Sequence, residues 1–318
     1  MSLFDSHIPL DAARTLTLYQ KFYDNNGPSL PAGHSSDMRF VESLSESLDG
    51  LEGLILDSYG VIGLGSAPIE GITHLFDVAS DKDIPIVILT NGASQPAENR
   101  VAGYQAWGLD IKAPDIVSSR DACYQTILDI QRQEPDAKFS YLGHHLVPFA
   151  DVKGPVYGTP HYREEGWASA DYFIFLGAIG WQHTDQDELE EALLSSKGRL
   201  IVGNPDVSAP HVEGFSFEPG FWAMRAQERT GADLIMTGKP FASAYDLAMQ
   251  ALCQKAQKTL SPHKVGMVGD SLHTDILGAK SYGLQAILLS SYGLMAGRDI
   301  KQEAALAQIY PDIVARTL

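Results

Sequence analysis

The chain has 318 residues, with 23 Lys plus Arg against 40 Asp plus Glu, a formal charge of −17, and 44% hydrophobic residues. This composition excludes a disordered tail protein and argues against nucleic acid as a partner, because a general nucleic-acid binder carries an excess of basic residues. The same acidity repels anionic phosphates at long range, so phosphate chemistry in this chain needs a local cation to invert the field.

At about twice the ~150-residue domain prior, the chain is expected to form two packed units or one large α/β unit. The first 45 or so residues read as a mostly helical extension. Their opening, MSLFDSHIPLDAARTL, lacks a basic region followed by an apolar core. No apolar stretch reaches the ~18 residues of a membrane span, so neither secretion nor membrane insertion is expected. The only cysteines, Cys123 and Cys253, have no metal-like spacing, which suits a reducing compartment and a cytoplasmic protein.

Apolar runs rich in β-branched residues predict strands at 54–56 (LIL) and 84–89 (IPIVIL), then at 172–177, 233–236, 265–268 and 286–289. They read as strands buried on both faces. Between them, a helix is expected from Thr184 as N-cap, with Asp185, Asp187 and Glu188 in its first turn. Another covers 244–252, where Ala244, Leu247, Ala248, Ala251 and Leu252 mark one face. The Pro- and Gly-rich stretches 154–162 and 203–220 read as loops. Strand and helix alternate, which predicts an α/β fold with a doubly wound parallel sheet.

Chemistry-bearing residues cluster where these strands end. Asp57 closes the first run and opens the turn DSYGVIGLG, and the second run ends in Thr90-Asn91-Gly92, a hydroxyl and an amide suited to phosphoryl oxygens. Lys239 follows DLIM, with Pro240 in the position favoured at the first turn of the next helix. VGMVGDSLHTDILGA places Asp270 at a strand end and Asp275 five residues on. Carboxylates converging with Asp57 would repel unless a hard cation sat among them, and Mg²⁺ suits oxygen ligands of this kind. Singly, each residue fits an ordinary turn or surface role; the ordered set points to a site.

On these residues the chain resembles the haloacid dehalogenase (HAD) superfamily, whose four motifs stand here as LILDSYGV, VILTNG, TGKP and VGDSLHTDI. APIEG after the first motif and GNPD before GKP resemble class IIA, the 4-nitrophenyl-phosphatase-like, sugar and nucleotide phosphatases. The resemblance spans about residues 50 to 295. Asp57 and Thr90 lie 33 positions apart, too few for an intervening cap, whereas Thr90 and Lys239 lie 149 apart. The resemblance therefore implies a core over 1–117 and 229–318, with an α/β cap inserted at 118–228.

It further implies that Asp57 is the nucleophile forming an aspartyl-phosphate, and that Mg²⁺ is held by Asp57, Asp270 and the backbone carbonyl of Tyr59, supported by Asp275. Thr90, Asn91 and Lys239 would bind the phosphoryl group, while Asn204 and Asp206 of GNPD are candidates for facing the substrate. The expected substrate is a small phosphorylated metabolite, and class relatives suggest a homodimer through the cap.

One position departs from the pattern. Most phosphatases of the superfamily carry a second Asp two residues after the nucleophile as acid and base, and here it is Tyr59. A phenol with a pKa near ~10 is a poor base at neutral pH, and losing positioned acid–base catalysis costs ~10²- to 10⁴-fold. The change predicts a bias towards leaving groups of low pKa, unless His273, His144 or His145 replaces the acid. It also leaves two alternatives: a metabolite-binding regulatory protein with weak turnover, or a hydrolytic dehalogenase, since true dehalogenases carry Tyr here but lack GDxxxTD. Trp107, Trp167, Trp181 and Trp222 read as packing residues.

Overall fold

The computed structural model describes residues 4–29, 33–211 and 214–318. In chain order its strands are β1 (Arg39–Ser43), β2 (Gly53–Leu56), the short pair β3 (Gly63–Leu64) and β4 (Ala67–Pro68), β5 (Ile86–Thr90), β6 (Ile116–Ser118) and β7 (Phe139–Leu142). There follow β8 (Tyr172–Phe175), β9 (Arg199–Val202), β10 (Ser208–His211), β11 (Gly214–Phe217), β12 (Leu234–Met236), β13 (Val265–Gly269), β14 (Gln285–Leu289) and β15 (Ile313–Thr317).

Seven strands build one parallel sheet in the order β1-β15-β14-β13-β2-β5-β6. Four more build a second parallel sheet, β12-β9-β8-β7. The central strands β2, β5 and β13 are buried at every residue, as helix-covered parallel strands must be, which is why they read as continuous apolar runs. From β2 the large sheet grows through β5 and β6 on one side and through β13 to β15 on the other. Strand order therefore reverses between β2 and β13, and it is at the carboxyl ends of such a switch point that open α/β sheets build their sites.

Several expectations need correction. Residues 39–43 are not helical: after the helix Ala12–Asn26 the chain adds β1 to the sheet edge beside β15, and RFVES reads poorly as a strand because its residues are exposed or half-buried. The stretch 203–220 is not all loop, since β10 and β11 pair as an antiparallel hairpin. The helix expected from Thr184 starts at His183 with Gln182 as its cap, because the Asp185 carboxylate accepts from the Gln182 amide at 2.7 Å. Pro240 lies in a turn, and the following helix, Ala242–Ala256, begins two residues later. The strand before Lys239 pairs with β9, so the second sheet reaches Met236, beyond the expected boundary at 228. Among the described residues no helix is long and apolar enough to cross a membrane.

Candidate active site

Asp57 leaves the end of β2 with its amide donating to the Val268 carbonyl of β13 at 2.9 Å, so the ladder holds the residue's backbone up to the switch point. Asp270 follows β13 directly. Asp275 lies five residues on, within a π-helical turn, Leu272–Ile276, that leads into the helix Leu277–Tyr282. Carboxylate oxygens of Asp57, Asp270 and Asp275, all buried, lie within 4.8 Å of one another.

Lys239 is the cation among them. Its Nζ donates to Asp57 Oδ1 at 2.5 Å and to Asp275 Oδ1 at 2.6 Å, and only 2% of the residue is exposed. Asp275 spends its other oxygen on the Ser271 amide at 3.1 Å, which ties the lysine to the loop after β13. The flanking carboxylates raise the Lys239 pKa above its ordinary value against the opposing effect of burial. Three carboxylates against one ammonium leave negative charge uncompensated. Burial pushes the Asp57 carboxyl up to about 7, against the Lys239 charge, and burial with the Asp275 and Asp57 charges holds Asp270 well above the carboxylate range.

That donor set fits a hard divalent cation, with buried carboxylate oxygens converging at a point short of positive charge. The backbone after Tyr59 also comes close: a Cβ at Gly60, whose φ is +82°, would stand 2.3 Å from Asp270 Oδ2. A peptide carbonyl at residue 59 is thus near the cluster, and only glycine permits so close an approach in that left-handed conformation.

The remaining predicted residues take different positions. Thr90 is buried at the end of β5, its hydroxyl accepting from the Gly92 amide at 3.2 Å. Asn91 is engaged within the protein: its Oδ1 accepts from the Lys239 amide at 2.7 Å, and its Nδ2 donates to the Lys239 carbonyl at 3.1 Å and to Asp206 Oδ1 at 2.8 Å. The TNG and GKP segments, 148 residues apart in sequence, are thereby clamped together. Asn204 is buried away from the cavity, donating to Glu218 at 3.3 Å and accepting from the Asp206 amide at 3.0 Å.

Asp57, Tyr59, Lys239 and Asp270 border a cavity of about 60 Å³, whose lining does not include Thr90, Asn91 or Asp275. That is room for roughly four to five water-sized groups, the scale of one phosphoryl unit. Tyr19, Asp206, Ser208 and Ala209 line the same space. Burial raises the Tyr59 phenol above its ordinary value, with the Asp270 and Glu218 charges adding to the effect.

Histidines expected as substitute acids are elsewhere. His273 packs beneath the N-terminal helix, stacked on Tyr19 at 5.5 Å and bonded to Gln20 at 3.1 Å, and burial lowers it to about 3. His144 bonds Asp185 at 3.0 Å, and neither it nor His145 lines the cavity. Trp167, Trp181 and Trp222 are buried in packing clusters with Trp107 partly so.

Tyr19 is the residue the motifs did not point to. Its Oη accepts from the Val207 amide at 3.0 Å and donates to Asp206 at 3.5 Å, so the N-terminal helix roofs the cavity. The sequence offered only a mostly helical extension before the first motif, which says nothing about where that helix docks.

Known proteins resemble this chain in sequence and in fold. The family profile described as haloacid dehalogenase-like hydrolase matches residues 54–147, and a second, HAD-hydrolase-like, matches residues 236–318. An acid sugar phosphatase of Staphylococcus haemolyticus (strain JCSC1435) is 26% identical over 255 residues, 79% of this chain and 89% of that protein. The ribonucleotide monophosphatase NagD of Escherichia coli (strain K12) is 24% identical over 244 residues, 76% of this chain and 88% of that one. Among solved structures, a possible sugar phosphatase from Cytophaga hutchinsonii superposes with a TM-score of 0.71 at 23% identity, covering 88% of this chain and 98% of that one. A p-nitrophenyl phosphatase from Archaeoglobus fulgidus superposes at 0.63 and 22% identity, covering 84% and 96%. With these motifs on this fold, the chain belongs to the haloacid dehalogenase-like hydrolases, in their class IIA group.

Proposed function

We propose that the protein is a Mg²⁺-dependent phosphatase of small phosphorylated metabolites, acting through an aspartyl-phosphate on Asp57. The observation that carries this reading is the buried Asp57 carboxylate, 2.5 Å from the Lys239 ammonium and clustered with Asp270 and Asp275 beside a cavity of phosphoryl size. The names of the curated relatives, acid sugar phosphatase and ribonucleotide monophosphatase, support the same class of substrate.

In this reading Asp57 attacks phosphorus in line with the departing oxygen, and water then releases phosphate from Asp57, so one difficult displacement becomes two easier ones. Lys239 neutralises charge on the transferring group and keeps Asp57 ionised for attack. Asp275 holds the lysine in place, and Asn91 fixes the turn that carries it. The cation that Asp57, Asp270 and the residue 59 carbonyl would hold supplies further charge neutralisation at the phosphoryl oxygens. The segment bearing the second sheet serves as the cap, excluding water and shaping the leaving-group side.

Hydrolysis of 4-nitrophenyl phosphate with Mg²⁺, with chelator and with Asp57→Asn tests the proposal. Turnover is expected with Mg²⁺ alone. Tyr59 favours a second reading, a protein that binds phosphorylated metabolites without turning them over. Absence of turnover with tight calorimetric binding would move the assignment there, and halide release persisting in chelator would instead indicate a dehalogenase.

A further inference from the structure

Position 59 leaves the site without the carboxyl that normally handles the proton of the leaving oxygen. The cavity holds another. Asp206 lines the same 60 Å³ space as Asp57 and Lys239, but reaches it from the loop after β9 rather than from the large sheet. Tyr19 of the N-terminal helix and Ser208 and Ala209 of the hairpin line the same space. An in-line displacement at Asp57 sends the leaving oxygen away from the attacking carboxylate, into the space that Asp206 also lines.

Asp206 is held for such a task. Its Oδ1 accepts from Asn91 Nδ2 at 2.8 Å and from the Tyr19 hydroxyl at 3.5 Å, and its own amide is pinned by Asn204 at 3.0 Å. The charged groups that act on it are Lys239, which favours ionisation, and Asp275, which opposes it; its own charge is felt by Asp57, Tyr19, Tyr23 and Glu218. Burial outweighs the Asn91 and Lys239 contributions and pushes this carboxyl up to about 6. In so small a space an ionised Asp206 would repel the phosphoryl oxygens, whereas the neutral acid donates to them, so the bound phosphate itself favours the protonated form.

We propose that Asp206 is the proton-transfer residue of this site, replacing the carboxyl absent at position 59; the proposal rests on the phosphatase reading above. Asp57 forms a bond to phosphorus as the bond to the leaving oxygen breaks, and the Asp206 proton passes to that oxygen, releasing the alcohol. The Asp206 carboxylate then takes a proton from water as the water oxygen attacks phosphorus. The bond to Asp57 breaks, and phosphate departs with both carboxyls restored. Tyr19 acts as a positioning residue through its hydrogen bond to Asp206. The bias towards low-pKa leaving groups that Tyr59 alone implies is then absent from the wild type and appears only when Asp206 is removed.

The test measures kcat and KM for 4-nitrophenyl, phenyl and alkyl phosphates across pH 5 to 9, for wild type, Asp206→Asn and Asp206→Glu, with thermal melts to verify folding. The proposal expects Asp206→Asn to lose at most about tenfold on 4-nitrophenyl phosphate but ~10²- to 10⁴-fold on alkyl phosphates. It also expects the basic limb of the alkyl-phosphate profile to disappear in Asp206→Asn and to return in Asp206→Glu. A folded Asp206→Asn that slows equally on all three substrates, or on none, overturns the assignment while leaving the phosphatase reading intact. A wild type inert on every phosphate, with Asp57→Asn indistinguishable from it, overturns both.

Discussion

Lys239→Met is the sharpest perturbation of the site, because it removes the one ammonium from among three buried carboxylates. The methionine keeps much of the volume, so the loss is electrostatic. Removing one partner from a buried ion pair costs ~3–5 kcal/mol, since the charges left behind are uncompensated. At ~2.1 cal/mol/K of unfolding entropy per residue, a chain of 318 residues should melt about 4–8 °C lower. The cost depends on pH in a definite sense. The variant's carboxyls escape by binding protons that the unfolded chain, with ordinary pKa values near ~4, does not bind, so its stability falls further as pH rises. Each such carboxyl steepens the loss by up to ~1.4 kcal/mol per pH unit. The deficit should therefore be small at pH 5 and largest at pH 8, and millimolar Mg²⁺ should reduce it. Paired thermal melts of wild type and variant at pH 5, 6.5 and 8, in chelator and in Mg²⁺, read all of this. A variant as stable as wild type at pH 8 in chelator would refute the charge-cluster argument, whatever its activity.

Gly60→Ala places a Cβ 2.3 Å from Asp270 Oδ2 in a residue with φ of +82°, so it should destabilise the fold by about 1–2 kcal/mol for the backbone alone and weaken Mg²⁺ binding, both measurable by melts and calorimetry. Glu218 has its pKa raised by burial to about 7, so the wild type loses stability from this group as pH rises from about 4 to about 7; Glu218→Gln should abolish that part of the decline, and an unchanged pH profile in urea titrations would count against it. Tyr19→Ala removes the roof of the cavity and should raise the rate on bulky aryl phosphates relative to 4-nitrophenyl phosphate, whereas an unchanged ratio would show that Tyr19 does not limit access.

The strands that carry the chemistry were legible because they lie at the middle of a doubly covered sheet, where every side chain but that of Thr90 is apolar: GLIL ahead of Asp57, IVILT ending in Thr90 and VGMVG ahead of Asp270. The edge strand RFVES and the short strands FSYL and RLIV were not. Polar residues interrupt the first two, and RLIV offers only three apolar residues after Arg199, a run too short to tell a strand from a helical segment; pairing with neighbours makes all three strands. The hairpin within GNPDVSAPHVEGFSFEPG was hidden for the same reason, its regularity coming from cross-strand backbone pairing rather than from periodicity.

The sequence by itself determined the fold class and the identity of the acidic cluster, since Asp57, Asp270 and Asp275 each stand a fixed short distance from a buried strand, and the sheet register carries that distance into space. Tertiary structure alone decided which groups face them. Asn91 meets Lys239 across 148 residues and Asp206 across 115, and Tyr19 reaches Asp206 across 187. Contacts at such separations leave no local trace in the chain, because the residues are placed by how the second sheet and the N-terminal helix dock on the core, a matter of packing surfaces rather than of neighbouring sequence.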